Sequence, residues 1–411
     1  MSFSLTTRPV AACRIRNPAI CAALIAIAVP AYAVKGDTFS PYVGVTRTYD
    51  NNLLRLPNRA TALAVTGSEK TSDTITVANA GIKFDKQYMR QMFNADVFIA
   101  KNSYDRYQEL DNISRGYVAN WGWHAFDDLD GNFISSYSHA LAPIEDFRQA
   151  ANVKRTQHFN LLEARYLVTP SWRVRSDVSR YALSYELDTL KPFELTLNRL
   201  VVGIDFLPAT GSTFGLQVGR TSGGYPGAQA GVVVQNGDYT LDEFKGLAKW
   251  KFTPQTSFQF LGGWVQRKED NAAAKDFNGI NARLTGDWAP TAKLSFAATA
   301  FREFAATGDL VSNYTLNRGL DLSSKWDVSY KIRVEASARS ESRDYNGITT
   351  LINTTAQNRD DRLRTFRLAS TYQPTSHIKI TAGLFKNIVD SNIAQLAYRS
   401  NGAALNAQYE F

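Results

Sequence analysis

The sequence predicts an all-β protein, a transmembrane up-and-down antiparallel β-barrel of about 18 strands with both termini on the periplasmic side. Three features predict this fold. Apolar and polar residues alternate along many segments, as they do in strands that have two different faces. A short turn recurs at roughly 40-residue intervals, with two strands between turns. The chain also ends on an alternating segment whose last residue is aromatic, Phe411.

The C-terminal segment carries the clearest alternation. Within the segment Arg399 to Phe411, every second residue from Phe411 back to Ala403 is apolar or aromatic, and the residues between them are polar or small. Bacterial outer-membrane barrels end on such a strand, which closes the barrel and places its terminal aromatic in the interfacial girdle. We therefore interpret Leu405, Tyr409 and Phe411 as an assembly signal, and we expect outer-membrane lipid and the barrel assembly machinery as partners.

Short turns and long connections alternate along the chain. From Thr156 onward the short turns contain a proline, which fixes φ and cannot donate a ladder hydrogen bond, except for one turn in Lys325 to Tyr330. The proline turns lie at Pro170, Pro208, Pro254, Pro290 and Pro374. We expect these short turns on the periplasmic side and the long polar connections at the cell surface. The clearest long connections are Arg220 to Asp238, Arg267 to Asp276 and Ser340 to Asp361.

The residues at the strand ends favour a membrane barrel over a soluble sandwich. Both folds alternate, but a sandwich would bury its apolar face as a core and would need no bulky aromatic beside each short turn. Here the short turns are flanked by aromatic residues, which we interpret as an interfacial girdle. These residues are Tyr166, Trp172, Phe206, Trp250, Phe252, Trp288 and Tyr372. Arg318 departs from the pattern because it falls on the outward register, and we expect it at the outer edge.

The N-terminal residues predict that the protein is exported from the cytoplasm. Residues 1–33 read as a secretory signal peptide with a basic start, an apolar run and a cleavage site at Ala31 to Ala33, so the barrel should occupy residues 34–411. Both cysteines, Cys13 and Cys21, lie in the signal. Loss of its three arginines lowers the net charge from +8 to +5, which argues against a nucleic-acid partner.

No catalytic, cofactor-binding or metal-binding residues are predicted. The adjacent Ser138 and His139 lie in an alternating strand and should face opposite sides, so they cannot form a dyad with each other. Asp127 to Asn132 lacks the later glutamate of a calcium loop. We therefore expect no enzyme and no cofactor.

The inward register carries a surplus of basic side chains over acidic ones. We consider two readings of this surplus: the charges pair into ladders that stiffen the wall, or the excess lines a path for an anionic polymer. Inward aromatics such as Phe301 and Phe385 would then offer stacking faces for sugars. The acidic set is Glu163, Asp177, Asp205, Glu243, Asp287 and Glu335. The candidate path is Arg165, Arg173, Arg175, Lys245, Lys249, Lys251, Arg283, Lys331, Arg333 and Arg339.

The first predicted strand and the residues that follow it read TFSPYVGVTRTYDNNLLRL, at residues 38–56. This segment resembles the opening of the EpsL-type β-barrel porins of exosortase-associated exopolysaccharide biosynthesis operons. The resemblance implies an outer-membrane role in exopolysaccharide biosynthesis and export. It also implies the polysaccharide and its periplasmic export components as partners. No residue role is carried over from this family. A porin for small solutes and an outer-membrane enzyme remain alternatives.

Overall fold

The computed structural model describes residues 38–227, 238–270, 276–306, 312–348 and 359–411. The predicted signal peptide, residues 1–33, lies outside the described residues. The described chain forms one 18-stranded sheet in which every strand is antiparallel to its neighbours. Consecutive strands pair in chain order, and β1 pairs with both β2 and β18, so the sheet closes on itself. This confirms the predicted barrel.

The strands have the following bounds: β1 Phe39–Asp50, β2 Asp73–Tyr88, β3 Gln91–Tyr104, β4 Asn112–His124, β5 Leu129–Leu141, β6 Lys154–Thr169, β7 Trp172–Tyr185, β8 Leu195–Phe206, β9 Thr213–Gly224, β10 Tyr239–Lys251, β11 Thr256–Glu269, β12 Phe277–Trp288, β13 Leu294–Ala306, β14 Ser312–Asp327, β15 Ile332–Ile348, β16 Arg359–Tyr372, β17 Ile378–Ser391 and β18 Tyr398–Glu410.

The two ends of the barrel differ. At one end, here called the short-turn end, strands are joined by brief turns that include all five predicted proline turns and the turn between β14 and β15. At the other, the loop end, the connection from β1 to β2 contains helix α1, Arg59–Thr66. Helix α2, Ile144–Phe147, lies between β5 and β6 at the same end. No helix in the described part of the chain is long and apolar enough to cross a membrane.

The predicted bounds of the long connections were wrong. β9 continues to Gly224, β11 to Glu269 and β15 to Ile348, so the strands include residues that the sequence analysis assigned to loops. Polar residues in these strand ends obscured the alternation, because both faces are hydrophilic where a strand leaves the membrane. The remaining parts of these connections include residues 228–237, 271–275 and 349–358, which lie outside the described residues.

Each strand turns one register outward and the other inward. On β18 the outward side chains are those predicted from the alternation: Leu405 is 56% exposed, and Tyr409 and Phe411 are also exposed. Asn406, on the inward register, donates from Nδ2 to Oγ1 of Thr46 on β1 at 2.8 Å. The Phe411 backbone N–H donates to the Pro41 carbonyl at 2.9 Å. The last strand therefore closes the barrel and presents its apolar register to the outside.

Aromatic side chains gather on the outside of the short-turn end. Many are in ring contact with a neighbour; for example, Trp172 lies 5.2 Å from Phe206 between ring centroids, and Trp288 lies 5.4 Å from Phe296. All seven predicted girdle residues are exposed there. Large rings with a polar atom or edge prefer the membrane interface. The predicted girdle is therefore present at this end.

The first prediction concerns the outward face of β18. Leu405→Arg places a charge against lipid, which costs about 2–4 kcal/mol near the membrane midplane. We expect this variant to yield much less of the heat-modifiable barrel in outer-membrane fractions. Gln408→Arg, on the inward register of the same strand, is the matched control and should assemble normally. Equal yields from the two variants would contradict the assigned faces.

Candidate functional site in the barrel lumen

The predicted lumen residues lie on the inward register of their strands, with one exception. Lys331 was assigned to a strand, but it precedes β15 and lies in the short turn. Its Nζ is 5.5 Å from the centroid of the Tyr330 ring. The other nine residues of the candidate path project from β6, β7, β10, β12 and β15 on the side opposite the exposed apolar register.

Asp205 on β8 holds two of the predicted cations on β7. Its carboxylate accepts from Nη2 of Arg173 at 2.7 Å and from Nε of Arg175 at 3.1 Å. Asp205 is 1% exposed. Arg175 also donates from Nη2 to the Gln217 side chain at 2.5 Å. Arg175 Nη1 also lies 3.5 Å from Oδ2 of Asp177, so the two guanidinium groups face two carboxylates, and the positive excess in this part of the wall comes from the nearby Lys249.

Two buried glutamates each bridge a pair of cations. Glu243 accepts from Lys245 Nζ at 2.7 Å and also pairs with Arg199 of β8. On β15, Glu341 is 1% exposed and accepts from Nε of Arg339 at 2.6 Å and Nε of Arg343 at 3.0 Å. Alternating charges at every second residue of one strand form such ladders because those residues share a face.

Three further predicted cations have carboxylate partners. Arg165 pairs with Asp130 of β5. Arg283 reaches Glu303 of β13 with Nη2 at 2.5 Å, and Arg333 reaches Asp327 across the short turn with Nε at 2.6 Å. The sequence analysis did not name Asp130, Glu303, Asp327 or Glu341 as partners, nor Asp321 of β14, whose Oδ2 lies 3.3 Å from Nη1 of Arg339. Much of the predicted positive lining is therefore engaged in ion pairs that join neighbouring strands.

Two predicted lysines have no carboxylate within 4 Å among the described residues. Lys249 lies near Arg173 and Arg175, which repel it, and near Asp205, which attracts it. Lys251 follows on the same register at the short-turn end, where it is exposed. Lys249, the two arginines beside Asp205 and the exposed Lys251 therefore form a basic region of the lumen near the short-turn end.

The structure adds a basic residue that sequence reasoning missed. Arg367 lies on the inward register of β16, opposite Phe385 of β17, and is exposed. Within the described chain it has no recorded ion pair. Alternation along β16 was a usable signal, since Leu368 on the other register is exposed to the outside. Arg367 therefore belongs with Lys249 and Lys251 as a cation open to the lumen.

The proposed sugar-stacking role of Phe301 is wrong. Its side chain is 6% exposed, because guanidinium groups approach the ring from two strands. Arg283 Cζ lies 5.0 Å and Arg339 Cζ 4.9 Å from its centroid. Phe385 is less buried than Phe301. Its ring packs closely over Gly402, since a Cβ added to Gly402 would lie only 2.5 Å from Cζ of Phe385. Phe301 therefore supports the arginine ladder rather than a sugar.

The loops at the loop end fold inward over part of the mouth. Arg148, which follows α2, donates from Nη1 to the carbonyl of Gln395 at 2.9 Å and from Nη2 to that of Leu396 at 2.8 Å. Those acceptors lie between β17 and β18, several strands away around the barrel. Burial lowers the pKa of Arg148, but an arginine remains charged at neutral pH. This residue ties three loops together, since it also reaches the Arg55 carbonyl at 3.3 Å.

Two apolar clusters pack beneath these loops. The first joins the β1–β2 connection to the connections after β3 and β5 through Leu54, Leu110 and neighbouring side chains. The second packs Leu190 and Phe193, from the β7–β8 connection, against inward residues of β7 and β8 such as Leu195. Burying these side chains stabilises the folded loops. The mouth is therefore narrowed on this side of the barrel by packed structure.

A family model described as "Putative beta-barrel porin 2" matches residues 243–411, from β10 to the C-terminus. No curated protein matches the chain. The outer membrane protein OpdK of Pseudomonas aeruginosa is a similar solved structure, with 10% identity, coverage of 91% of this chain and 99% of that one, and a TM-score of 0.47. OccK9 (OpdG) of the same organism has 14% identity, coverage of 91% and 98%, and a TM-score of 0.46.

The siderophore receptor PirA of Pseudomonas aeruginosa is also similar, with 10% identity, coverage of 91% and 80%, and a TM-score of 0.42. None of these likenesses indicates a function for this chain. The closed sheet, the exposed apolar register and the girdle are the features of a barrel that spans a membrane by strands. The chain is an outer-membrane β-barrel with a porin-like fold.

The second prediction concerns Asp205. Asp205→Asn leaves Arg173 and Arg175 without their shared carboxylate, which should destabilise the barrel by about 1–3 kcal/mol; the loss is moderated because both guanidinium groups reach the wet lumen. We expect heat-induced unfolding on gels to begin at a lower temperature than in the wild type. Asp287→Asn removes a lumen carboxylate whose recorded contact is Gln259 at 3.3 Å and should leave the unfolding temperature nearly unchanged. The same temperature for both variants would contradict the role of Asp205.

Proposed function

We propose that this barrel takes part in exopolysaccharide biosynthesis and export by passing an acidic polysaccharide through its lumen to the cell surface. The observation that carries the proposal is the group of three cations, Arg173, Arg175 and Lys249, around the buried carboxylate of Asp205, with Asp177 as a second partner of Arg175 at 3.5 Å. Guanidinium groups bind carboxylates in planar, bidentate geometry. The resemblance of the first strand to the EpsL-type porins supports the same role.

The orientation is part of this proposal. We place the short-turn end in the periplasm and the loop end at the cell surface, since outer-membrane barrels have short periplasmic turns and longer external loops. The even number of strands brings the start of β1 and the end of β18 to the same end. A polymer would then enter beside Lys251 and leave beneath the packed loops.

The lumen charges suit a polymer that must move. Most cations are held by carboxylates, so no long stretch of the wall would bind an anionic chain tightly. The open cations Lys249 and Lys251 lie on β10 and Arg367 lies on β16, so they offer weak contacts in two separate parts of the lumen. Several positive groups in one narrow tube also add their fields and favour entry of anions.

A porin for small solutes is the second candidate. The match of residues 243–411 to a porin family model favours it, and so do the apolar clusters that narrow the mouth. The two candidates predict different consequences of gene deletion. Loss of the barrel should abolish surface polysaccharide in the first case and should slow uptake of small anions in the second.

The third prediction concerns orientation. A protease recognition sequence inserted after Asp188, in the exposed β7–β8 connection at the loop end, should be cut when protease is added to intact cells. The same insertion after Gln255, in the turn between β10 and β11 at the short-turn end, should be cut only after the outer membrane is opened. The reverse pattern would refute the proposed orientation.

The fourth prediction tests the function. The triple variant Lys249→Gln, Lys251→Gln and Arg367→Gln should lower the anion preference of the reconstituted channel, measured as the reversal potential in a salt gradient. A strain that lacks the wild-type gene and expresses this variant should carry less surface polysaccharide than one that expresses the wild type. Lys268→Gln with Lys386→Gln removes exposed outward cations and is the control. A strain that lacks the barrel but still carries the wild-type amount of surface polysaccharide would contradict the proposal. A variant that loses surface polysaccharide and small-solute uptake to the same extent would also contradict it.

A further inference from the structure

Basic side chains gather on the outside of the barrel at the loop end. They lie on the outward register, because residues that pair across neighbouring strands share a face. Arg220, for instance, pairs with Leu200, which faces outward. The apolar band of lipid-facing residues lies between them and the girdle. The outward basic residues in the loop-ward half of the described strands are Arg47, Lys101, Arg115, Lys154, Arg180, Arg220, Lys268, Arg302, Arg318, Arg362, Arg364, Lys386 and Arg399.

Acidic residues are fewer in the same zone. The outward acidic residues of these described strand segments are Asp242, Asp344, Asp360 and Asp390. Some cations are paired with them, since Arg220 donates to Asp242 at 2.6 Å and Arg318 lies 3.3 Å from Asp344. The remaining excess is positive. The outward position of Arg318, which broke the apolar pattern of its strand, is therefore one instance of a zone that extends around the barrel.

A groove on the outer surface of β6 to β9 concentrates polar groups of this zone. Asn160, Arg180 and Asn198 are cross-strand neighbours in one row, and Ser222 of β9 continues the row. Arg220 lies one step closer to the girdle and lines the same groove. Within the described residues, Arg180 is exposed and has no recorded hydrogen bond or ion pair. The row therefore presents an open guanidinium group between amide side chains.

Apolar side chains lie immediately below this row. Leu162, Val178 and Leu200 are cross-strand neighbours one outward position closer to the girdle, and each is about half exposed. A ligand for this groove should thus combine an anionic head with hydrocarbon chains. The surface has the order expected of a lipid whose phosphates face away from the membrane core.

The height of the row matches a membrane interface. Trp172 of the girdle and Arg180 are eight residues apart on β7. At about 3.4 Å per residue and a strand tilt near 40°, they are separated by roughly 20 Å along the barrel axis. The apolar band of such barrels is about 25 Å tall. Arg180 therefore lies near the far interface, where the cost of an outward charge is small.

We propose that this outward basic zone, with the groove of Asn160, Arg180, Asn198 and Arg220 at its centre, binds the phosphorylated headgroup of a glycolipid in the outer leaflet. Arg180 contacts phosphate directly, Arg220, which lies one row lower opposite Leu200, reaches the phosphate by extending its long side chain toward the interface, and the two asparagines contact phosphate or sugar hydroxyls. Leu162, Val178 and Leu200 contact the acyl chains. Binding to the loop end at the outer leaflet rests on the orientation given above, but it does not depend on what passes through the lumen.

Binding of lipid A to the purified full-length barrel in detergent, measured by native mass spectrometry, tests the site. Arg180→Gln with Arg220→Gln should weaken binding of lipid A that carries both phosphates by about tenfold, since two exposed charge-assisted contacts are lost. Dephosphorylated lipid A should bind both proteins equally and weakly. Lys86→Gln with Lys293→Gln, which removes exposed cations at the short-turn end, should leave binding unchanged.

Equal affinity of the Arg180 and Arg220 variant and the wild type for the phosphorylated lipid would overturn the proposal. Tighter binding of phosphatidylglycerol than of lipid A would also overturn it, since that would indicate a phospholipid site. Heat-modifiability on gels verifies that each variant is folded before binding is measured. The single Arg180→Gln variant, which leaves the Arg220–Asp242 pair intact, should show a smaller loss in the same direction. Because these measurements use detergent, the intact-cell protease assay tests the orientation separately.

Discussion

Closure of the sheet between β1 and β18 is the constraint on which the rest of the structure depends. In hydrocarbon no water can satisfy backbone N–H and C=O groups, so a sheet can cross a membrane only if it has no free edge. The pairing from Tyr42 with Glu410 to Asp50 with Gly402 removes that edge. Once the sheet is closed, each strand has one side toward lipid and one toward the lumen. The apolar register and the charged register follow from this division.

The same division explains the lumen ion pairs. Charges excluded from the lipid face collect on the inner face, where neighbouring strands bring opposite signs together. Glu341 between Arg339 and Arg343 and Asp205 between Arg173 and Arg175 hold adjacent positions of the wall. Positive charge stays open to the lumen only where the cations exceed the available carboxylates. The cations on the outer face are found at the loop end because the hydrocarbon layer ends there and a charge is no longer excluded.

The sequence predicts the strand number, the faces and the girdle because these depend on a local two-residue period. The predicted lumen cations do face the lumen, apart from Lys331, whose turn position depends on where a strand begins, but Arg343 and Arg367 were missed. The carboxylate partners of these cations were not predictable from the two-residue period. Glu303 meets Arg283, for example, because of the register in which β12 and β13 pair. The contact of Arg148 with the β17–β18 connection depends on how loops fold across the mouth, and no local pattern encodes it. The ends of β9 and β15 were missed because both faces are polar there.

The division of each strand into a lipid face and a lumen face is the central claim, and single cysteines along β16 test it most directly. Cys13 and Cys21 lie in the predicted signal peptide, so each substituted cysteine would be the only thiol in the mature chain. In the reconstituted barrel, a hydrophilic maleimide should label cysteines at positions 365, 367 and 369 and should not label those at 366, 368 and 370. Labelling of consecutive positions, or of the opposite set, would contradict the account.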